Sequence, residues 1–234
     1  MSTSIFHQMN DPVGGEPTRD IAPMVRDSLS NQAYWRIRNA LKQSHYQPGQ
    51  KLVLRTVATE LNISLTPLRE AFARLLSENA LSVDARGIVS VPMISLEQHK
   101  EIRDLRIELE GRAAFAATAF VSDRQIVELR ALNEAYFQAT VQGDQSAAFK
   151  ANEEFHFRLY ALAQMPILFS IIEGLWMRSG PILAQARPRA RAPVRRHGRI
   201  LMGLELRDPE LVRQGISEDI TNGWAARQEQ WHDG

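Results

Sequence analysis

The chain contains no cysteine among its 234 residues, and this absence excludes whole classes of site. Disulfide frameworks and thiolate metal centres cannot form, so any bound metal must be held by nitrogen and oxygen ligands. The sequence also has no apolar run near the roughly 18 residues of a membrane span, and its start lacks the regions of a secretion signal. We therefore expect a cytoplasmic protein without a membrane partner.

The motifs of common enzymes are absent as well. There is no zinc-protease helix motif, no glycine-rich phosphate loop and no nucleophile placed beside a base. Glu110 is the nearest candidate for a general base, and it is better interpreted as a partner of Arg106. We predict that the chain is not an enzyme; the competing hypothesis is a metal-dependent enzyme that acts on a small carboxylate, with the segment at 48–91 as an appended domain.

The net charge is only +1, but it is unevenly distributed. Residues 26–92 carry nine Lys and Arg against five Asp and Glu, a surplus of four. A basic segment suits binding to phosphates, because each contact releases condensed counterions from the nucleic acid. A surplus of this size also lies within ordinary surface variation, so the charge supports a nucleic-acid partner without deciding it.

Residues 48–91 have the pattern of a helix-turn-helix followed by a small hairpin. Pro48-Gly49 marks a turn, and the next helix has its inward residues at Val57, Ala58 and Leu61. Ser64 or Thr66 can cap the second helix, whose buried side is predicted to comprise Leu68, Phe72, Leu75 and Leu76. Short alternating runs over 81–83 and 88–91 then flank Gly87, which can adopt a positive φ. This order predicts a winged helix-turn-helix.

The remainder of the chain shows only helical patterns. Predicted segments cover residues 95–121, 123–142, 145–163, 166–179, 193–206 and 209–230, and short connections between them favour an antiparallel bundle. We predict a mostly α protein in three parts. These are a flexible arm over 1–24, a winged helix-turn-helix of three helices and a hairpin over 25–93, and an all-α effector-binding and dimerisation domain of about six helices over 94–231.

Polar residues interrupt the apolar face of four bundle helices, at Arg106, at Asn152 with His156, at His197 and at Asp219. In the first of these helices the inward stripe is predicted to comprise Ile102, Leu109, Ala113, Ala116 and Phe120. Burying polar groups without partners costs several kcal/mol, roughly, so these side chains should satisfy one another, a metal or a ligand. A single histidine bonded to a carbonyl is the simpler interpretation of each position taken alone.

The stretch from Pro48 to Val91 resembles the winged-helix domain of the GntR family of bacterial transcription regulators. The resemblance is carried by Ser64, by Thr66-Pro67-Leu68-Arg69-Glu70-Ala71, by Leu75 and by Gly87. It implies contacts to double-stranded DNA, at a palindromic operator, from Arg55, Ser64, Leu65, Thr66, Arg69, Arg86 and Gly87. Leu65 departs from the family, which commonly has arginine there, so one customary contact is replaced.

The bundle resembles the ligand-sensing FCD domain of the FadR-type subgroup. The matching residues are Leu105-Arg106 with Leu109-Glu110, Asn152 with Phe155-His156, and His197 followed by Asp208. The resemblance implies a homodimeric regulator, commonly a repressor. It also implies a divalent ion such as zinc, nickel or manganese at Asn152, His156, His197 and Asp219, with Asp219 replacing the usual third histidine.

Two occupants of this site stay open at the level of sequence. One is the divalent ion, because an aspartate is a legitimate oxygen ligand even where the family has histidine. The other is a small carboxylate effector bound directly by Arg106, Asn152, His156 and His197, with Arg106 as a bidentate anchor. The arginine-rich run from Arg187 to Arg199 is most simply a solvated loop, and its alternative role is a rim that attracts anionic effectors or DNA phosphates.

Overall fold

The structure is a computed structural model that describes residues 28–43, 45–183 and 197–231. Within these ranges the N-terminal part comprises α1 (Leu29–Lys42), α2 (Leu54–Leu61), α3 (Leu65–Ser77), β1 (Ser82–Val83) and β2 (Val89–Ser90). The C-terminal part comprises α4 (Leu96–Ala117), α5 (Asp123–Gln142), α6 (Gln145–Ala161), α7 (Pro166–Leu183), α8 (Gly198–Leu206) and α9 (Pro209–Trp231). The prediction of a mostly α fold with a small hairpin and a helical bundle is confirmed. The proposed arm over 1–24 lies outside the described residues.

The helix-turn-helix forms because a three-residue turn separates α2 from α3. Asn62 ends α2 with φ 53°, in the left-handed region that asparagine tolerates better than most residues. Ser64 is the N-cap of α3, although its hydroxyl makes no capping hydrogen bond within the described chain. The turn therefore leaves the start of α3 exposed, as a recognition helix requires.

The predicted wing is confirmed as a two-stranded antiparallel hairpin that is shorter than the alternating pattern suggested. Ser82 pairs with Ser90 and Val83 pairs with Val89. Gly87 has φ +79°, the positive value expected from the sequence. Lys51 forms one further bridge to Ser90, which ties the chain before α2 to the hairpin.

Within the described residues, each of these two parts has a large hydrophobic core. The N-terminal core contains Leu68, Phe72 and Leu75 from α3, as predicted, packed against Ile37 and Leu41 of α1. It also takes in Met177 from α7, so one bundle helix contributes directly to the core of the winged helix. The C-terminal core is built from α4 to α9 around Phe155, Leu159, Ile172, Trp176 and Ile200.

Reciprocal capping boxes mark the starts of the first two bundle helices. Ser95 and Gln98 form a reciprocal capping box at α4, and Ser122 and Gln125 form another at α5.

α8 and α9 approach closely at two glycines. An added Cβ would lie 2.7 Å from a Val212 side-chain atom at Gly203 and 2.8 Å from an Ile200 atom at Gly215. Among the described residues, no helix combines the length and apolar character needed to cross a bilayer.

The prediction that Phe120 faces inward is wrong. α4 ends at Ala117, and the next three residues form tighter bonds, from Thr118 N–H to Phe115 and from Phe120 N–H to Ala117. This turn rotates Phe120 outward, leaving it 53% exposed, and Val121 fills the core position instead. A helical period continued past a helix end assigns the wrong face.

Candidate DNA interface and sensor site

Several of the residues predicted to contact DNA lie on α3 or next to its start. Thr66 and Arg69 are exposed in the first turns of the helix, and Ser64 is exposed just before it. Arg55 is exposed at the start of α2. Leu65 differs, since it is half-buried and packs against the N-terminal core. Its side chain therefore contributes to packing as well as lying beside the recognition surface.

The wing holds Arg86 in a turn that Asp84 stabilises by hydrogen bonds. Asp84 accepts hydrogen bonds from the backbone N–H groups of Arg86 and Ile88, both at 2.9 Å. These bonds, the one from Ile88 first, hold the pKa of the Asp84 carboxyl below its ordinary value. Arg86 pairs with the same carboxylate at 3.3 Å while its side chain stays 77% exposed, so the guanidinium is positioned and still accessible to a phosphate.

The four predicted metal-site residues come together inside the bundle. Asn152 Oδ1 lies 3.1 Å from His197 Nε2, and His156 Nε2 lies 3.2 Å from Asp219 Oδ2. The ligand atoms of His156, His197 and Asp219 all lie within 4.8 Å of one another. Both histidines are buried, and the Asp219 side chain is 12% exposed. The sequence thus located a real three-dimensional cluster.

Local structure explains how these side chains converge. Asn152 and His156 are one helical turn apart on α6, and Asp219 projects from α9. His197 was predicted within a helix, but it is the N-cap residue just before α8. Its ring stacks on Phe155 with centroids 4.2 Å apart and planes at 8°, which fixes its orientation.

Glu110 holds a second polar cluster beside the histidines. Its Oε1 accepts from Arg106 Nε at 2.5 Å and from Trp176 Nε1 at 2.9 Å, and its Oε2 accepts from the Tyr160 hydroxyl at 2.6 Å. Burial alone would lower the pKa of the Arg106 guanidinium, but the charge and hydrogen bonds of Glu110 raise it on balance. The expected pairing of Arg106 with Glu110 is confirmed.

This pairing changes the role foreseen for Arg106. Nε and Nη2 of Arg106, one of the two pairs of nitrogens that can bind a carboxylate, both face Glu110, the second at 3.4 Å. The guanidinium also lies 4.5 Å from the centroid of the Trp176 ring. A bidentate contact through Nε and Nη2 would have to displace Glu110, so the assignment of Arg106 to effector binding stays a proposal.

Two groups that orient the histidines were missed from the sequence. Tyr160 lies 3.0 Å from His156 Nδ1, and Asn133 Oδ1 lies 2.9 Å from His197 Nδ1. Tyr160 follows His156 by four residues on α6, a spacing that could have indicated the contact. Asn133 comes from α5 and gave no such signal. Of the arginine-rich run, only Arg199 lies within the described residues, where it pairs with Glu218 at 3.0 Å.

Taken together, an exposed recognition helix with its wing and a bundle that buries a polar ligand site define a helix-turn-helix transcription regulator with a ligand-sensing domain. Comparison with known proteins gives the family. Residues 29–91 match the family described as bacterial regulatory proteins, gntR family, and residues 101–222 match the FCD domain. The chain belongs to the gntR family and carries an FCD domain, the combination expected of the FadR-type subgroup.

Relatives support the same assignment. The HTH-type transcriptional regulator McbR of Escherichia coli is 32% identical over 214 residues, which span 89% of this chain and 97% of McbR. The solved structure of E. coli McbR/YncC superposes with a TM-score of 0.83 over 88% of this chain and all of that chain. The E. coli transcriptional repressor RspR is 22% identical over 195 residues, covering 82% of this chain and 86% of RspR. These relatives are transcription regulators, so the chain is a regulator and not an enzyme.

Proposed function

We propose that this protein is a repressor that binds a palindromic operator as a homodimer and releases it in response to a ligand in the bundle. The observation that carries the proposal is that one chain contains both a surface suited to DNA and a buried site suited to a ligand. An exposed α3 and wing face outward, and a buried polar site lies in the bundle that α1 contacts. A cytoplasmic location follows from the DNA partner.

We assign the DNA contacts to the exposed residues around the start of α3 and on the wing. Arg69 and Arg55 suit bidentate contacts to guanine or phosphate, and Ser64 can donate to a phosphate at the helix N-terminus. Arg86 and Gly87 would approach the backbone from the wing. Thr66 is exposed beside Arg69, and the half-buried Leu65 leaves room for an apolar contact to a thymine methyl.

We propose a divalent ion as the resident of the polar cluster. Ligand atoms about 2.1 Å from a tetrahedral ion are about 3.4 Å apart, and the pairs Asn152–His197 and His156–Asp219 are close to that spacing at 3.1 and 3.2 Å. Two nitrogens and two oxygens suit zinc, nickel or manganese. Such an ion would supply a positive charge against which an effector carboxylate binds.

We further propose that the effector is a small organic acid held beside this ion. Asn152, His156 and His197 would line its binding place, and Arg106 would contribute the donor groups that it does not give to Glu110. A specific ligand stabilises the folded state by mass action. A thermal-shift screen of organic and sugar acids, run with and without added zinc, should therefore identify it.

Substitution of Arg69 tests the DNA-binding assignment. The probe is a duplex enriched from a random-sequence library by the wild-type protein, and affinity is measured by fluorescence anisotropy at fixed salt. Arg69→Ala should lose about 1–3 kcal/mol of discrimination between this duplex and unrelated DNA. The matched control is Arg124→Ala, which removes a guanidinium that is 89% exposed on α5. Unchanged discrimination in Arg69→Ala would contradict the assignment.

A further inference from the structure

The carboxylate of Glu110 can only accept hydrogen bonds in this structure. The side chain is fully buried, and the Arg106 and Trp176 nitrogens that face it have no acceptor capacity. The buried guanidinium of Arg106 needs a counter-charge, since an unpaired buried charge costs several kcal/mol, roughly. Glu110 supplies that counter-charge, and the remaining contact, from the Tyr160 hydroxyl, is also a donation to its carboxylate.

The direction of the hydrogen bond from Tyr160 to Glu110 determines the direction of the bond between Tyr160 and His156. A tyrosine hydroxyl has one proton, and Tyr160 gives it to Glu110 Oε2 at 2.6 Å. The hydroxyl then offers only its lone pair to His156 Nδ1, 3.0 Å away. Nδ1 must therefore carry a proton.

A proton on Nδ1 determines what the other ring nitrogen of His156, Nε2, can do. In a neutral imidazole protonated at Nδ1, Nε2 carries the lone pair that a metal requires. Nε2 is the atom that faces Asp219, at 3.2 Å, and that belongs to the cluster with His197. Had Tyr160 donated to Nδ1 instead, Nε2 would carry the proton and could not bind an ion.

We infer that Tyr160, directed by Glu110, is a positioning residue that holds His156 in the tautomer protonated at Nδ1 and so prepares Nε2 as a metal ligand. This inference rests on the metal site proposed above. Asn133 makes the matching contact with His197 Nδ1, at 2.9 Å. With both Nδ1 atoms in contact with outer partners, the Nε2 atoms of both rings point toward the same cluster. Outer partners of this kind orient metal-binding histidines in proteins generally.

The first test is the affinity for zinc, measured by competition with a chromophoric chelator at fixed pH. Tyr160→Phe keeps the ring and all four proposed ligands but removes the hydroxyl. Loss of an outer partner of a ligating histidine typically lowers affinity by about 10- to 100-fold, and we expect a loss in that range. Tyr34→Phe is the matched control, because Tyr34 also donates to a glutamate, Glu78, but in the N-terminal part.

The second test reads the tautomer itself. Long-range ¹⁵N–¹H NMR spectra at pH 8.5 of the metal-free wild type and of metal-free Asp219→Ala, which lacks the carboxylate facing Nε2, should both show His156 protonated at Nδ1, and Tyr160→Phe should lose the hydrogen-bond shift of that nitrogen. A wild-type His156 protonated only at Nε2 would overturn the inference, as would full zinc affinity in Tyr160→Phe. Failure of the wild type to take up zinc would instead contradict the proposed metal site, and the spectra would still decide the tautomer.

Discussion

Lys42 at the end of α1 forms a buried ion pair with Glu153 of α6. The ammonium also lies 5.1 Å from the centroid of the Phe157 ring. Glu153 and Phe157 directly follow Asn152 and His156, two of the proposed metal ligands. One helix thus presents the sensor site on one face and contacts the DNA-binding part from the adjoining face.

A second bundle helix repeats this arrangement. On α7, Glu173 pairs with the buried Arg38 of α1 at 3.2 Å, and Trp176 donates to Glu110 in the bundle. Met177 packs in the N-terminal core. A shift of α6 or α7 on ligand binding would therefore be transmitted directly to α1, which packs against α3 in the N-terminal core.

The ion pair between Lys42 and Glu153 should couple ligand binding to DNA binding. Glu153→Gln leaves Lys42 without its counter-charge and weakens the contact between the two parts. We expect the ratio of operator affinities with and without zinc to change by about 0.5–2 kcal/mol, the range found for residues that carry coupling between sites. Anisotropy titrations in both conditions measure it.

The control for this prediction is Glu154→Gln. Glu154 is the next residue on α6 and pairs with Arg158 at 2.8 Å on the exposed surface. It carries the same charge, but its ion pair joins two residues of α6, and exposed pairs contribute little. An equal change in both variants would point to general electrostatics and would rule out the coupling role of the buried pair.

Removal of metal should destabilise the wild type through the proposed site. We expect chelation by EDTA to lower the melting temperature, because an ion that binds only the folded state stabilises it by mass action. Asp219→Ala removes one ligand, so its melting temperature should be nearly insensitive to the chelator. Differential scanning fluorimetry with elemental analysis of both proteins checks this, and equal sensitivity would remove Asp219 from the ligand set.

Close packing of α8 and α9 should make Gly215 intolerant of any side chain. A Cβ there would lie 2.8 Å from Ile200 Cγ1 and 2.9 Å from the Ile200 backbone nitrogen. Gly215→Ala should therefore cost about 1–3 kcal/mol of unfolding free energy in a urea titration. Gly174→Ala on α7, with no atom within 4 Å of the new Cβ, should be neutral or stabilising, and similar losses in both would contradict the packing argument.

The bond from Tyr34 to Glu78 should appear as a loss of stability at high pH. Burial and this hydrogen bond raise the pKa of Tyr34 from 10.0 to about 12. Because the folded-state pKa is the higher one, the stabilisation is complete below pH 10 and is lost as pH rises toward 12. Urea midpoints measured across this window should fall in the wild type and fall less in Tyr34→Phe. Identical slopes would show that the bond has no effect.

Much of the fold could be predicted because its signals are local. The bounds of α5 were predicted without error, since Ser122-Asp123 and Gly143-Asp144 mark its two ends. The turn at Asn62 and the positive φ of Gly87 likewise depend on a few neighbouring residues. Phe120 was misplaced because the sequence pattern did not reveal that α4 ends at Ala117.

The sequence by itself determined the class of protein, since helical periods, caps and the helix-turn-helix spacing are properties of short segments. It also located Asn152, His156, His197 and Asp219, because polar residues on apolar faces require partners. Only the tertiary structure decided which partners they have. The hydrogen bond from Tyr160 to Glu110 and the ion pair between Lys42 and Glu153 join residues more than forty positions apart in the chain, and no local pattern encodes such contacts.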